Sequence, residues 1–334
     1  MSATSLGDLA QSFLFQRRSI SLRQDLNRLT DELSSGKVSD IREVMSGNHG
    51  YLTDLERSLE VLESYSVANI EAAYTTDAMQ VSLERVQDSG GTLGLDLLLA
   101  SAGPLGVISG NPSENAATQL EGVLSYLNDD VAGRSLFAGT ATDTAPLPDA
   151  ETLIAFVRTA VAGQTTPEDV VTAAEAWFAD PAGFDALAYS GSTTALAPFA
   201  LSDTENVTLD IRADDDAIKE LLTHITVAAL ASDATLGFEV DEQSELFGLA
   251  GLGLQKNQDN LTSLRASIGF VEERIEMISA RNGAEETSIE IARGGLLAAD
   301  PFETATELEA VQFHLQSLYS VTVRSSQLSL VNFL

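Results

Sequence analysis

Cysteine is absent from the 334 residues. That excludes a disulfide framework, a thiolate metal site and a cysteine nucleophile. Lysine is scarce: Lys37, Lys219 and Lys256 are the only lysines among 18 basic residues. Against them stand 50 acids, for a net charge of −32. So negative a surface repels nucleic acid and anionic membranes, and neither is expected as a partner. Aromatic residues make up only 6% of the chain, which suits packed helices better than a β-sandwich. No run approaches the roughly 20 apolar residues of a membrane helix, so no membrane insertion is expected. The opening MSATSLGDLAQSFLFQRR has neither a basic n-region nor a long apolar stretch, so no cleaved secretion signal is read. Arg17 and Arg18 lack the apolar stretch that follows a twin-arginine signal.

Chemistry-bearing patterns are missing as well. His49, His224 and His314 lie far apart with no ligand-spaced partners, and each reads as a surface or packing residue. There is no phosphate-binding loop, dinucleotide fingerprint, H-E-x-x-H or G-x-S-x-G. DDDAIKEL at 214–221 lacks the alternating ligands and glycine of a calcium loop. It reads better as the acidic start of a helix. No catalytic residue, cofactor or metal site is expected, and a structural or assembly role is favoured over an enzyme.

What the chain does have is apolar residues, 44% of the total, enough for a substantial core. Charge is distributed unevenly. Residues 141–240 hold 17 Asp and Glu against Arg158, Arg212 and Lys219, whereas residues 1–45 balance six acids with six bases. The middle reads as a solvated surface and the two ends as surfaces built to touch protein.

Apolar spacing is that of coiled coils. Leu22, Leu26, Leu29 and Leu33 run 4-3-4 before SSGK, where Gly36 predicts a helix end. Leu52, Leu55, Leu59 and Leu62 open a second long helix. Its pattern blurs past Ile70, and Gly90-Gly91 reads as its breaker. Asn111, Pro112 and Glu114 form a capping box for a third helix running to about Val131. GRSLFAGTATDTAPLP at 133–148 reads as a short strand over 134–140 leading out of the helical part. Two or three short helices follow over 149–188, one started by Thr166 and Pro167. Trp177 and Phe178 read as a small core there. Residues 192–201 and 205–213 read as a strand pair, with Val207, Leu209 and Ile211 alternating. A helix capped by Asp214, Asp215 or Asp216 comes next. The register Leu261, Leu264, Ile268, Val271, Ile275 and Ile278 then continues through Asn282, Glu285, Ile289, Ala292 and Leu296. Its two polar intrusions predict local register control or a partly exposed face. Asp300, Pro301 and Glu303 cap a last helix carrying Leu308, Val311, Leu315 and Leu318.

The predicted fold is mainly α: a long antiparallel helical rod, coiled-coil-like, with paired terminal helices and a small mixed α/β insert in its middle. Residues 1–45 and 300–334 form the terminal coiled coil. Residues 46–145 and 191–299 form the two halves of the rod, the second including the strand pair, and 146–190 form the outward-facing insert. The segment VTVRSSQLSLVNFL at 321–334 is apolar where a fraying polar tail is usual. Leu328, Leu330, Val331, Phe333 and Leu334 are read as an assembly interface, since each fully buried Leu or Phe contributes roughly 1.5–3 kcal/mol.

Three stretches carry a resemblance. RLTDELSSGK at 28–37 resembles the N-terminal signature of bacterial flagellins. GRSLFAGT at 133–140 and QSLYSVTVRSSQLSLVNFL at 316–334 resemble the hook-associated members of that family that join hook to filament. The resemblance implies an extracellular axial protein of the flagellum, exported by the type III route without a cleaved signal. It implies a ring of copies whose partners are a hook-side associated protein, flagellin and an export chaperone. Leu22, Leu26, Leu29 and Leu33 would then pair with Leu308, Val311, Leu315 and Leu318. Residues 38–55, VSDIREVMSGNHGYLTDL, depart from the Ser/Asp/Pro-rich segment usual in the family. A short filament flagellin and a secreted coiled-coil binding module remain alternative readings of the sequence.

Overall fold

The computed structural model describes residues 3–39, 49–103 and 111–331, with side chains described at 10, 12–39, 50–103 and 111–324. Helices dominate: α1 (Ala3–Ser35), α2 (His49–Ala102), α3 (Pro112–Leu127), α4 (Ala150–Ala160), α5 (Pro167–Ala179), α6 (Phe184–Leu187), α7 (Asp216–Leu230), α8 (Val240–Leu296) and α9 (Pro301–Val331). Two antiparallel pairs interrupt them, β1 (Asp130–Val131) with β2 (Arg134–Ser135) and β3 (Phe199–Ala200) with β4 (Asn206–Val207). The protein is thus mainly α, with long helices, paired terminal helices and small β elements in the middle. The chain divides into two units, one of residues 1–62 with 283–334 and one of residues 63–282, and the boundaries fall inside α2 and α8.

The first unit is built on α1 and α9. The α1 helix ends where predicted: Gly36 adopts φ +68° and its N–H donates to the Glu32 carbonyl at 2.8 Å. That is the left-handed cap glycine allows at no steric cost. Asp300 caps α9 by accepting from the Phe302 and Glu303 N–H groups at 2.9 and 3.2 Å. Between these caps the Val38 N–H donates to Leu297 O at 3.0 Å, and the Ala299 N–H to Gly36 O at 2.9 Å. The chain leaving α1 is therefore tied to the chain entering α9.

In the second unit, α2 and α8 pack antiparallel. The Gln80 amide donates to Arg265 O at 2.9 Å, that of Gln255 to Gly91 O at 2.9 Å, and the Ser244 hydroxyl to Ser101 O at 3.0 Å. Their seams are unbroken heptads. On α2 the seam runs through the buried Asn69, Ala72, Thr76, Met79, Leu83, Val86, Gly90, Leu93, Leu97 and Ala100. The pattern blurs to the eye past Ile70 because polar and small residues occupy the seam, while Ile70 itself is exposed. The expected break at Gly90-Gly91 does not occur. A Cβ on Gly90 would lie 2.5 Å from Leu221 Cδ1, and one on Gly94 2.7 Å from Gln255 Nε2. Glycine here permits close helix approach, so the helix continues through it to Ala102.

The core of this unit wraps α7. Ile218, Leu221, Leu222, Ile225, Val227, Ala228 and Leu230 are all fully buried, the all-round burial of a central helix. Asp215 caps it by accepting from the Ala217 N–H at 3.0 Å. Helices α3, α4 and α5 pack against it. The starts of α3 and α5 match the sequence reading: Asn111 accepts from Ser113 N–H and Thr166 from Asp169 N–H. The α3 helix stops at Leu127, short of Val131, because residues 128–136 turn into the β1–β2 hairpin. Phe178 and Phe184 are buried, with Trp177 edge-on to both at 4.9 and 6.2 Å. The β3–β4 pair covers part of the α2–α8 seam, placing Leu201 and Val207 against Ala72, Ile275 and Ile278.

Candidate functional site

The terminal helices bring two predicted leucine stripes together. Arg23 on α1 donates to the Tyr319 hydroxyl on α9 at 2.7 Å. With the Gly36–Ala299 contact at the other end, this makes the pair antiparallel. Leu29 and Leu315 are buried. Leu22, Leu26, Leu308, Val311 and Leu318 are half-buried, and Leu33 is 41% exposed. Two helices cover only one stripe on each other, so apolar side chains remain open on both: Phe13, Leu14 and Ile20 on α1, and Phe302, Phe313 and Val323 on α9. The arginine beside it holds the Tyr319 phenol below the usual tyrosine range. Glu32 is buried, and accepts from Arg28 at 3.2 Å and from the Ser39 N–H at 2.9 Å.

Leu328, Leu330 and Val331 fall in the last turns of α9. Phe333 and Leu334 lie outside the described residues.

The GRSLFAGT stretch forms the second feature. Strand β2 occupies only Arg134–Ser135, less than the predicted 134–140, because the chain turns inward after Leu136. Phe137 and Ala138 are fully buried. Gly139 has φ +59°, and a Cβ there would lie 2.4 Å from Thr194 O. No other residue fits. The β1–β2 turn is made by Ala132 (φ +53°) and Gly133 (φ +77°), a two-residue turn with both central residues left-handed. Beside it lies a concavity of about 250 Å³ bordered by α2, the hairpin and residues 196–211.

Two buried asparagines were not singled out as structural ties by the sequence pattern. Asn282 donates to Leu201 O at 2.8 Å, and Asn257 donates to Ala217 O at 2.8 Å. The polar break at Asn282 therefore anchors the β3–β4 turn, whereas Glu285 is exposed. Heptad continuation marks both positions, Asn257 four residues before Leu261 and Asn282 four after Ile278. His224 is buried with its ring against Gly253, and burial pushes its pKa below the usual histidine range. His314 is exposed on α9. Among the described residues no group of three or more His, Cys, Asp or Glu is arranged to hold a metal ion, and no helix is long and apolar enough to cross a membrane.

Residues 253–334 match the family model of the bacterial flagellin C-terminal helical region. This segment takes in most of α8 and all of α9. No curated protein matches the chain in sequence. Among solved structures, one from Vibrio parahaemolyticus described as a flagellar hook-associated protein superposes with a TM-score of 0.52 at 14% identity. The match covers 75% of this chain and 99% of that one. At that identity the likeness is one of fold. Neither match is to an enzyme.

Proposed function

We infer that this protein is a non-catalytic structural subunit of the bacterial flagellum, located outside the cell at the junction of hook and filament. The observation that carries the reading is the antiparallel pairing of α1 with α9, whose C-terminal partner lies in the segment matching the flagellin C-terminal helical region. A two-helix pair that leaves Phe13, Phe302 and Phe313 exposed has apolar surface for neighbours to bury. Assembly into a ring of copies would cover it, with Leu22, Leu26, Leu29, Leu33, Leu308, Val311, Leu315 and Leu318 holding each pair together. The stretch from Leu328 to Leu334 would then meet the adjoining subunit. In this reading a hook-side associated protein lies on one face of the ring and flagellin on the other. A chaperone accompanies the chain to the type III exporter, and no cleaved signal is used. The protein adapts one helical lattice to another by shared coiled-coil contacts.

Deleting the gene tests this reading. Cells with bare hooks that shed monomeric flagellin into the medium are expected. Cells that make normal filaments would overturn it. Cells whose medium and surface both lack the major filament subunit would mark the chain as that subunit instead.

A further inference from the structure

Strands β3 and β4 and the turn between them, residues 199–207, rest on the α2–α8 pair as a separate patch. Leu201 and Val207 are buried there against Ala72, Ile275 and Ile278, in a cluster distinct from the core around α7. The half-buried Phe199 and Val271 pack against both. On either side of the patch the chain is fixed to the main body. The Thr140 N–H donates to Thr194 O at 3.1 Å before it, and the Ala213 N–H donates to Phe137 O at 2.9 Å after it. Between those anchors the ladder is short, pairing Phe199 with Val207 and Ala200 with Asn206.

Glu205 joins this segment to α8. Its carbonyl accepts from the Leu201 and Ser202 N–H groups at 3.0 and 3.1 Å, which closes the turn. Its carboxylate accepts from Arg281 at 2.8 Å and from Arg274 at 3.3 Å. The two arginines are one heptad apart and so stand on one face of α8. Among the described residues neither pairs with another carboxylate. The Arg281 hydrogen bond holds the Glu205 carboxyl below the usual carboxylate range. Two weaker ties complete the attachment: Asn282 donates to Leu201 O, and Arg281 donates to the Ser202 hydroxyl at 3.3 Å.

Two buried apolar side chains and one charged contact are a thin attachment beside the many fully buried residues around α7. Regions with few buried apolar contacts open at lower free energy than the core. We propose that residues 199–207 are a strap that opens from the α2–α8 pair as a unit, with Glu205 as its clasp, while the core around α7 stays closed. Opening bares Ala72, Ile275 and Ile278, so the clasp sets how long that apolar face is covered. Salt weakens the clasp, because both arginine side chains are 53% exposed. The device lies within residues 72–282 and does not depend on the terminal helices or on the flagellar reading.

Hydrogen exchange of the full chain at neutral pH, followed by mass spectrometry, tests the proposal. The amides of residues 199–207 are expected to exchange faster than those of α7. Glu205→Gln should speed the strap amides about three- to tenfold and leave those of α7 unchanged. About 1 M salt should move the parent towards the variant and change the variant little. Strap amides that exchange only as fast as α7, rates untouched by Glu205→Gln, equal acceleration of both regions, or a parent strap indifferent to salt would each overturn it.

Discussion

Gly94 on α2 and Gly251 on α8 face each other so closely that a Cβ on Gly251 would lie 2.9 Å from the Gly94 carbonyl oxygen. It would also lie 3.2 Å from the Leu98 N. Backbone cannot swing aside as a flexible side chain can. Gly251→Ala should therefore destabilise the protein by about 1–3 kcal/mol. At Gly91 a Cβ would meet only the Gln258 amide at 3.6 Å, so Gly91→Ala should raise stability by about 0.5–1 kcal/mol through helix propensity. Urea denaturation of the two variants against the parent chain checks both signs.

Asn69 and Asn282 are both buried seam residues, at 2% and 5% exposure, with opposite hydrogen bonding. Asn282 donates to Leu201 O, whereas neither amide atom of Asn69 has a partner. Asn282→Leu should cost about 1–3 kcal/mol, because it orphans a buried carbonyl. Asn69→Leu should stabilise by about 1 kcal/mol, because it removes an unsatisfied polar group from an apolar seam. Thermal melts of both variants should move in opposite directions.

His224 gives the fold an acid-sensitive joint between α7 and α8. A Cβ on Gly253 would lie 2.2 Å from its Nε2, and its Nδ1 has no partner. Burial disfavours the imidazolium, Lys256 adds to that effect, and Glu220 opposes it. The folded-state pKa is thus depressed below the unfolded value of about 6.5. Neutral His224 costs nothing above that pH. Below it the unfolded chain binds a proton that the folded chain resists, so stability falls as pH drops, by up to about 1.4 kcal/mol per unit. In His224→Gln the slope of stability between pH 7.5 and 5 should be shallower than in the parent. Parallel slopes would contradict the assignment.

Much of this architecture could be read from residues whose meaning is local. Asn111, Thr166 and Gly36 specify helix ends by bonds to their own neighbours, and the leucine spacing of α1 and α9 specifies which face each buries. What was hidden depends on a partner far along the chain. Gly90 reads as a breaker until Leu221 and Gln258 are seen against it. Asn69, Ala72 and Thr76 hide the α2 heptad because small and polar residues carry no apolar signal, though the 3-4 spacing persists through them. The β2 strand is shorter than its apolar neighbours suggest, since Phe137 and Ala138 turn into the core rather than along a sheet. The terminal stripes of the candidate site were legible as stripes. The Ser135 hydroxyl, buried without a partner, had no sequence signal at all, because only packing decides whether a serine meets water.

Assembly through the apolar C-terminal stretch is tested most directly by a truncation lacking residues 328–334. Full-length and truncated chains would be offered to flagellar hook ends, with incorporation scored by electron microscopy and folding by circular dichroism. The truncated chain is expected to melt like the parent yet fail to join. A truncated chain that joins as readily as the full one would contradict it.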